Sequence, residues 1–251
     1  MASKDNIERK INNKVMQKVV LVANGLFCNV FNSDRLKKKI AKLKNPTENS
    51  MWSNYHDNID PSTDKRFLRI KEIIDNLKDA TSITEVASNQ GKFAEFIYDN
   101  THIEKVIATD YDKEAVNIMY NNNKDRDDFL TLLIDMVRNK GRIQDQPISD
   151  RMKGDIVIAL AVTHHLVLSQ DIPIEYIFEA VSKLANKYVI VEFMPIGLYD
   201  GNLENIPKLP EYYNLEWFRD NFKEYFELIL DEEIQLNRHV FLGKVKINEC
   251  L

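Results

Sequence analysis

Short apolar segments alternate with helical segments over most of the chain, and this alternation limits the fold more than any other feature. The strand-like segments are "SITEVAS", "KVIATD", "FLTLLID", "DIVIALA" and "YVIVEFMP", and helical stretches such as "KEAVNIMYNNN" and "IPIEYIFEAVSKLAN" lie among them. Parallel strands need crossover helices, and they are apolar on both faces because helices cover both sides of the sheet. The pattern therefore predicts an α/β fold with a doubly wound, mostly parallel sheet.

Two further strands and a helical extension complete the predicted organisation. "FELIL" and "RHVFLGKVK", after the helix "LEWFRDNFKEYF", look like an antiparallel pair and bring the sheet to seven strands. Residues 5–44 have apolar positions at helical spacing, and residues 45–64 are rich in turn formers. We therefore predict an N-terminal helical extension and loop over residues 1–65 and the α/β domain over residues 66–251.

Composition narrows the class of partner. The chain of 251 residues has a formal charge of -5, which argues against a protein that mainly neutralises nucleic-acid phosphates. Its two cysteines, Cys28 and Cys250, lie far apart and offer neither a disulfide framework nor a zinc cluster. No apolar run approaches the ~20 residues of a membrane span. We expect a soluble cytoplasmic protein whose partner is a small molecule or a glycan-linked acceptor; the sequence does not define its oligomeric state.

Acidic residues end three successive strands. Glu85 belongs to the first strand, Asp110 ends the second and Asp135 ends the third, at regular intervals of 25 residues. In a doubly wound sheet, ligands bind beyond the carboxyl ends of the strands. Asp110 is spaced to hold the two hydroxyls of a ribose, and Asp135 with the apolar Met136 suits the edge and face of a base. Any one of these acids alone is more often a cap or turn former, but together they indicate an adenosine-containing ligand.

The turn after the first strand distinguishes among such ligands. Only Gly91 is a glycine there, so the three-glycine fingerprint of nicotinamide dinucleotide sites is missing. "SNQGKF" also lacks the glycine-rich run and the Gly-Lys-Ser/Thr of a kinase-type phosphate loop. S-adenosylmethionine has an adenosine and no phosphates, and it fits this pattern best.

At this point the sequence resembles a known family. The segments "EVASNQGKF", "ATDYD", "LLID", "DIVIALAVTHHL" and "YVIVEFMP" resemble those of class I S-adenosylmethionine-dependent methyltransferases, whose fold is Rossmann-like. The resemblance runs from about residue 50 to about residue 245. "MWSNYHD", "ALAVTHHL" and "IVEFMP" look more narrowly like a bacterial subgroup associated with surface polysaccharide, some of whose relatives methylate phosphate-type groups on capsule or O-antigen glycans.

The resemblance implies a set of cofactor contacts. Those around the methionine part of the cofactor would be Glu85, Ala87, Asn89 and Gly91. Asp110 would hold the ribose, Asp135 and Met136 would contact the adenine, and Tyr111 would pack near it.

Three further residues belong to the predicted cofactor site. Leu160 lies at the end of the fourth strand, and the resemblance makes Trp52 and Tyr55 a lid over the cofactor, although they could simply pack on the core. The chain departs from the family in the first turn, where Ser88-Asn89-Gln90-Gly91 keeps only the last of three small residues.

Adjacent histidines follow the fourth strand, where the acceptor meets the methyl group in this class. Methyl transfer needs alignment, and it needs a base only if the acceptor must lose a proton. His165 or His164 could therefore be a base or an acceptor clamp; their side chains should point in different directions, so that one faces the methyl group and the other fixes the loop. Packing in the core is the alternative, and a metal site is not expected because the other histidines are scattered.

Glu192 ends the fifth strand within an apolar stretch. A buried carboxylate is usually functional or paired structurally, so Glu192 either orients a histidine, binds the acceptor or forms a structural ion pair.

The expected activity is that of an O-methyltransferase, which uses S-adenosylmethionine and acts on a saccharide-linked hydroxyl or on a phosphate- or phosphoramidate-type oxygen in capsule or surface-glycan biosynthesis. Two alternatives remain. One is a methyltransferase for another small molecule or for protein; the other is a protein that binds S-adenosylmethionine without turnover.

Overall fold

Seven strands form one sheet in the computed structural model, which describes residues 60–136, 142–143, 146–199 and 201–246. The strands run in the order β3-β2-β1-β6-β7-β9-β8. Their bounds are β1 Ser82–Val86, β2 Lys105–Asp110, β3 Phe129–Leu133, β6 Gly154–Ala159, β7 Ala185–Phe193, β8 Phe226–Gln235 and β9 Arg238–Val245. The first five strands in this order, β3 to β7, pair in parallel, whereas β9 is antiparallel to both β7 and β8. The predicted mostly parallel seven-stranded sheet is confirmed.

The described helices pack on the two faces of the sheet. Their bounds are α1 Lys65–Asn76, α2 Lys92–Asn100, α3 Lys113–Asn123, α4 Ile148–Arg151, α5 Ile174–Leu184 and α6 Leu215–Tyr225. Side-chain caps start α1, α3 and α6, where Asp64, Asp112 and Asn214 accept from backbone N–H groups of the first turn. No described helix has the length and apolar character needed to cross a bilayer.

The strand alternation divides the core into two clusters. Successive side chains of a strand point to opposite faces of the sheet. Ile83, Ile158 and Ile190 point to one face and pack with α1 and α2. Val157 and Val191 point to the other face and pack with α5 and α6. Because both faces are covered, the strands are apolar throughout.

The order of the strands determines where the ligand-binding crevice of the sheet lies. The chain passes from β1 to β2 and β3 on one side, and then crosses to β6 and β7 on the other. The strand order therefore reverses between β1 and β6, and ligands of doubly wound sheets bind beyond the strand ends at this point.

The structure adds elements that the sequence pattern did not predict. Residues Arg142–Ile143 (β4) and Gln146–Pro147 (β5) form a small separate hairpin, followed by α4. His165–Ser169 form a π-helical turn, and β8 extends to Gln235, five residues beyond the predicted "FELIL". Most of the predicted extension, residues 1–59, lies outside the described residues.

A close contact in β9 gives a test of the packing. A Cβ on Gly243 would lie 2.7 Å from Cε1 and Cζ of the buried Phe222 and 2.8 Å from Cβ of Phe226. We expect Gly243→Ala to lower the free energy of unfolding in urea by about 2 kcal/mol or more, because overpacking strains a close-packed core. Asp125→Ala, at an exposed residue, is the control. Equal losses in both variants would contradict the packing account.

Candidate functional site

The turn after β1 is wound by three residues in the left-handed region. Ala87, Asn89 and Gly91 have φ angles of 54°, 53° and 79°. A side chain on Gly91 would also collide with Met119, whose Cγ and Sδ lie 2.6 Å from the Cβ position. Only Gly91 adopts such angles without strain, so the other two residues store conformational energy next to the crevice. Strained backbone of this kind is typical of ligand-binding turns.

Asp110 ties the end of β2 to this turn. Its Oδ2 accepts from the backbone N–H of Asn89 at 2.7 Å, and its Oδ1 accepts from that of Asp112 at 2.8 Å. Burial raises the pKa of Asp110 to about 6, although these two backbone donors oppose the shift. The group is therefore mainly a carboxylate at neutral pH, with oxygen lone pairs that can accept from further hydroxyl groups.

Glu85 is buried at the end of β1, and it has an orphaned atom. Its Oε2 has no hydrogen-bond partner among the described residues. Burial raises the pKa of Glu85 to about 8, against the opposing charge of Arg66. A buried acceptor without a partner costs free energy unless a ligand supplies a donor. An ammonium group beside Glu85 would provide that donor and would favour the ionised carboxylate.

The predicted adenine contacts lie around the ends of β2 and β3. Burial raises the pKa of the Tyr111 hydroxyl, and the nearby charges of Asp110 and Asp135 raise it further. Tyr111 is 54% exposed, whereas Asp135 and Met136 are half-buried and Leu160 is buried. The structure thus brings a ring, an acid and apolar side chains to one edge of the sheet. Trp52 and Tyr55, the predicted lid, lie outside the described residues.

A second buried acid, Glu192, lies on the same face of the sheet as Glu85. Glu85 pairs with Ile158, and Ile158 pairs with Ile190, two residues before Glu192. One oxygen, Oε2, accepts from the backbone N–H of Ala161 at 2.8 Å and from Nη1 of Arg238 at 2.8 Å. The second arginine near this carboxylate is Arg66 of α1, whose Nη1 lies 3.6 Å from the same oxygen.

The contacts of Glu192 hold the turn that carries the histidines. Ala161 has a φ of 49°, and its N–H is bound by the carboxylate of Glu192. The hydroxyl of Thr163 donates to the main-chain oxygen of Glu192 at 3.0 Å. The strand end and the turn are thereby joined immediately before the π-helical turn.

The two histidine rings lie against each other. Their centroids are 4.0 Å apart with an angle of 42° between the planes, so the side chains do not point in different directions as predicted. His164 precedes the π-helical turn and has φ and ψ of -64° and -35°. His164 is 4% exposed and His165 is more accessible. The two histidines therefore differ in solvent exposure.

Both histidines are neutral bases in this environment. Burial, the neighbouring His165 and the charge of Arg238 lower the pKa of His164 to about 2. Burial also lowers the pKa of His165. Nδ1 of His164 is buried and has no hydrogen-bond partner in the described part of the chain. Within those same ranges, no three His, Cys, Asp or Glu side chains are grouped so that they could hold a metal ion.

Arg238 and Arg66 are site residues that the sequence interpretation missed. Arg238 is two residues before Val240, which pairs with Glu192, so both side chains project from the same face of the sheet. Placing Arg238 from the sequence requires the register between the fifth and last strands. Arg66 lies in the first turn of an amphipathic helix, and the helical pattern alone gives no sign that it reaches a strand end.

Comparison with known proteins finds one curated relative. No family model matches the chain. The nodulation protein NoeA of Rhizobium meliloti strain 1021 is 29% identical over 156 residues, which cover 58% of this chain and 32% of NoeA. The chain therefore spans about a third of the length of the curated relative it matches.

Solved structures, two of them of methyltransferases, share the fold. The N-methyltransferase NodS of Bradyrhizobium japonicum WM9, in complex with S-adenosyl-L-homocysteine, superposes with a TM-score of 0.54 at 10% identity over 80% of this chain and 94% of NodS. Magnesium protoporphyrin IX methyltransferase of Synechocystis PCC 6803, with the same compound bound, has a TM-score of 0.50 at 13% identity over 74% of this chain and 83% of that one. The PH0226 protein of Pyrococcus horikoshii OT3 has a TM-score of 0.54 at 14% identity and covers 77% of this chain and 99% of its own. The chain has the Rossmann-like fold of class I S-adenosylmethionine-dependent methyltransferases.

Proposed function

We propose that this chain is an S-adenosylmethionine-dependent O-methyltransferase whose acceptor is a saccharide-linked hydroxyl or a phosphate- or phosphoramidate-type oxygen. One observation carries the proposal. Acids lie at or just after the ends of three neighbouring strands, and two of them, Glu85 and Asp110, adjoin the turn after β1, at the crevice of a fold that solved methyltransferases share.

The residues present fit the cofactor. Asp110 would accept from the ribose hydroxyls, and the orphaned Oε2 of Glu85 would accept from the ammonium of the methionine part. Asp135 would accept from the exocyclic amine of the adenine, with Met136 and Tyr111 against the ring. When bound, S-adenosylmethionine supplies a methyl group on a sulfonium, and this group is transferred in line to the acceptor.

His165 would take the proton of a hydroxyl acceptor, or would orient an acceptor oxygen that has no proton. It is the more accessible of the pair, and its lowered pKa keeps a lone pair available at neutral pH. A hydroxyl acceptor would pass its proton to this lone pair while the oxygen forms its new bond to carbon. An ionised phosphate-type oxygen has no proton to lose, so His165 would then only orient it. His164 would support the ring of His165 by packing against it.

Resemblance supports the saccharide part of the proposal. The segments "MWSNYHD" and "IVEFMP" resemble those of the surface-polysaccharide subgroup, and on this ground we extend the proposal to capsule or surface-glycan biosynthesis. Transfer to a different small molecule or to protein, or cofactor binding without turnover, would be recognised in the assays below.

The cofactor site is tested by substitution of Asp110. We expect Asp110→Ala to weaken binding of S-adenosylmethionine and of S-adenosylhomocysteine by about 100-fold, because two hydrogen bonds to a charged group are lost. Isothermal titration calorimetry measures both affinities.

Asp110 also holds the turn, so the test includes Asp110→Asn, which retains an acceptor oxygen for Asn89. The exposed Asp125→Ala is the control. Wild-type affinity in both Asp110 variants would exclude the cofactor model.

The role of the histidines is tested by the pH dependence of methyl transfer. If His165 is the base, kcat/KM should rise with pH through the pKa of His165, which burial lowers from its ordinary value, and should level off above it because the neutral form is active. His165→Ala should lose this limb together with at least ~100-fold in rate. A clamp for an ionised oxygen should instead raise KM and leave the profile unchanged. His164→Ala is measured in parallel, and unchanged kinetics in both variants would leave only a packing role.

Glu192 is expected to position the histidine turn rather than to contact the reacting atoms. Glu192→Gln should lower the free energy of unfolding by about 3 kcal/mol, because it leaves buried arginine charge uncompensated. The kcat should fall while the affinity for S-adenosylmethionine stays the same. Glu232→Gln, which disrupts a half-exposed ion pair with Arg69, is the matched control and should cost less than about 1 kcal/mol. Equal effects of the two substitutions would contradict the positioning role.

A further inference from the structure

A cleft opens beside the histidine turn, between the segments that leave β6 and β7. Val167 and Leu168 of the π-helical turn form one wall, and Leu198, Leu209 and Tyr212 belong to the other. The first wall begins two residues after His165, and the second follows the strand that carries Glu192. Both walls therefore belong to segments beyond the carboxyl ends of β6 and β7, at the edge of the sheet where the crevice lies.

Backbone hydrogen bonds hold the second wall. The side-chain oxygen of Asn237, in the turn between β8 and β9, accepts from the N–H of Ile196 at 2.5 Å. At the other end, the buried Tyr213 donates its hydroxyl to the main-chain oxygen of Met194 at 3.2 Å. The wall is thereby anchored on both sides before any acceptor binds.

Two leucines of the cleft walls pack closely around Gly197. Gly197 has a φ of 66°, and a Cβ on it would lie 2.6 Å from Cδ2 of Leu209 and 2.8 Å from Cδ1 of Leu168. The two leucines come from opposite walls and meet over this glycine. The cleft has a volume of about 240 Å³. This exceeds the roughly 150 Å³ of an engineered apolar cavity that holds benzene.

The rim of the cleft has one charge of each sign. Asp171 and Lys208 line it, and neither makes an ion pair or hydrogen bond with another described residue. With one charge of each sign, the rim exerts no net attraction on an anion or a cation. A carboxylate and an ammonium can, however, accept from and donate to the hydroxyl groups of a neutral sugar.

We propose that this cleft binds an apolar substituent of the acceptor, an alkyl or acyl chain attached to a neutral sugar whose hydroxyl groups lie between Asp171 and Lys208. The proposal rests on the function proposed above and names the acceptor as an amphipathic glycoside. Burial of the chain supplies affinity, and the rim orients the sugar toward the histidine turn.

The test compares octyl β-glucoside, below its micelle concentration, with methyl β-glucoside by calorimetry. We expect the octyl compound to bind roughly 50-fold more tightly, which corresponds to burial of about three methylenes at about a fourfold gain each. Leu198→Ser should reduce the octyl affinity by about tenfold and leave the methyl affinity unchanged. Leu130→Ser, at an exposed leucine on the opposite edge of the sheet, is the matched control.

The outcomes separate this proposal from the proposed function. Equal affinities for the two glucosides, or equal effects of Leu198→Ser and Leu130→Ser, would overturn the apolar subsite. Octyl phosphate that binds more tightly than octyl glucoside, with the gain lost in Lys208→Ala, would overturn the neutral sugar. Binding of S-adenosylmethionine is measured in the same preparations. If the wild-type protein does not bind S-adenosylmethionine, the methyltransferase function is contradicted, whereas the result for the cleft still stands.

Discussion

The carboxylate of Glu192 is the interaction on which the geometry of the site depends. One of its oxygens joins the turn after β6, the start of β9 and, through Arg66, the first turn of α1. Burying such charges costs desolvation energy that their attraction only partly offsets, so the cluster is weak evidence for stability. What the cluster fixes is conformation. It holds Ala161 in the left-handed region and so determines where the two histidines begin.

Asp110 acts in a similar way on the other side of the topological switch point. It binds the backbone of the turn after β1, as Glu192 binds the backbone of the turn after β6. Each carboxylate thus ties the end of one strand to the turn that follows another strand. The two strands on either side of the reversal, β1 and β6, therefore both end in turns held by buried acids. A ligand in the crevice meets backbone that is already ordered, which lowers the entropy lost on binding.

The sheet could be predicted from the sequence because parallel strands buried on both faces read as short apolar runs rich in β-branched residues, as in "DIVIALA" and "YVIVEF". The acids at strand ends could be predicted because the chain direction alone brings those ends to one edge. Arg238 and Arg66 could not be predicted, since their positions depend on the register of β7 with β9 and on how α1 packs. The π-helical turn was also missed, because a run such as "HLVLS" does not distinguish it from an ordinary helical turn.

The lowered pKa values of the two histidines limit the reactions that each residue can support. With a pKa of about 2, His164 takes up no proton at any pH at which the fold is expected to work. A base far weaker than the group it must deprotonate contributes little, because proton transfer follows the difference in pKa. Under the proposed function, removal of a proton would therefore fall to His165 rather than to His164. The packed ring of His164 keeps water and charge away from one side of His165, and the same desolvation lowers the pKa of His165. A neutral imidazole of this kind is suited to accept a hydrogen bond from a hydroxyl that loses its proton late, when the new carbon–oxygen bond has already made it acidic.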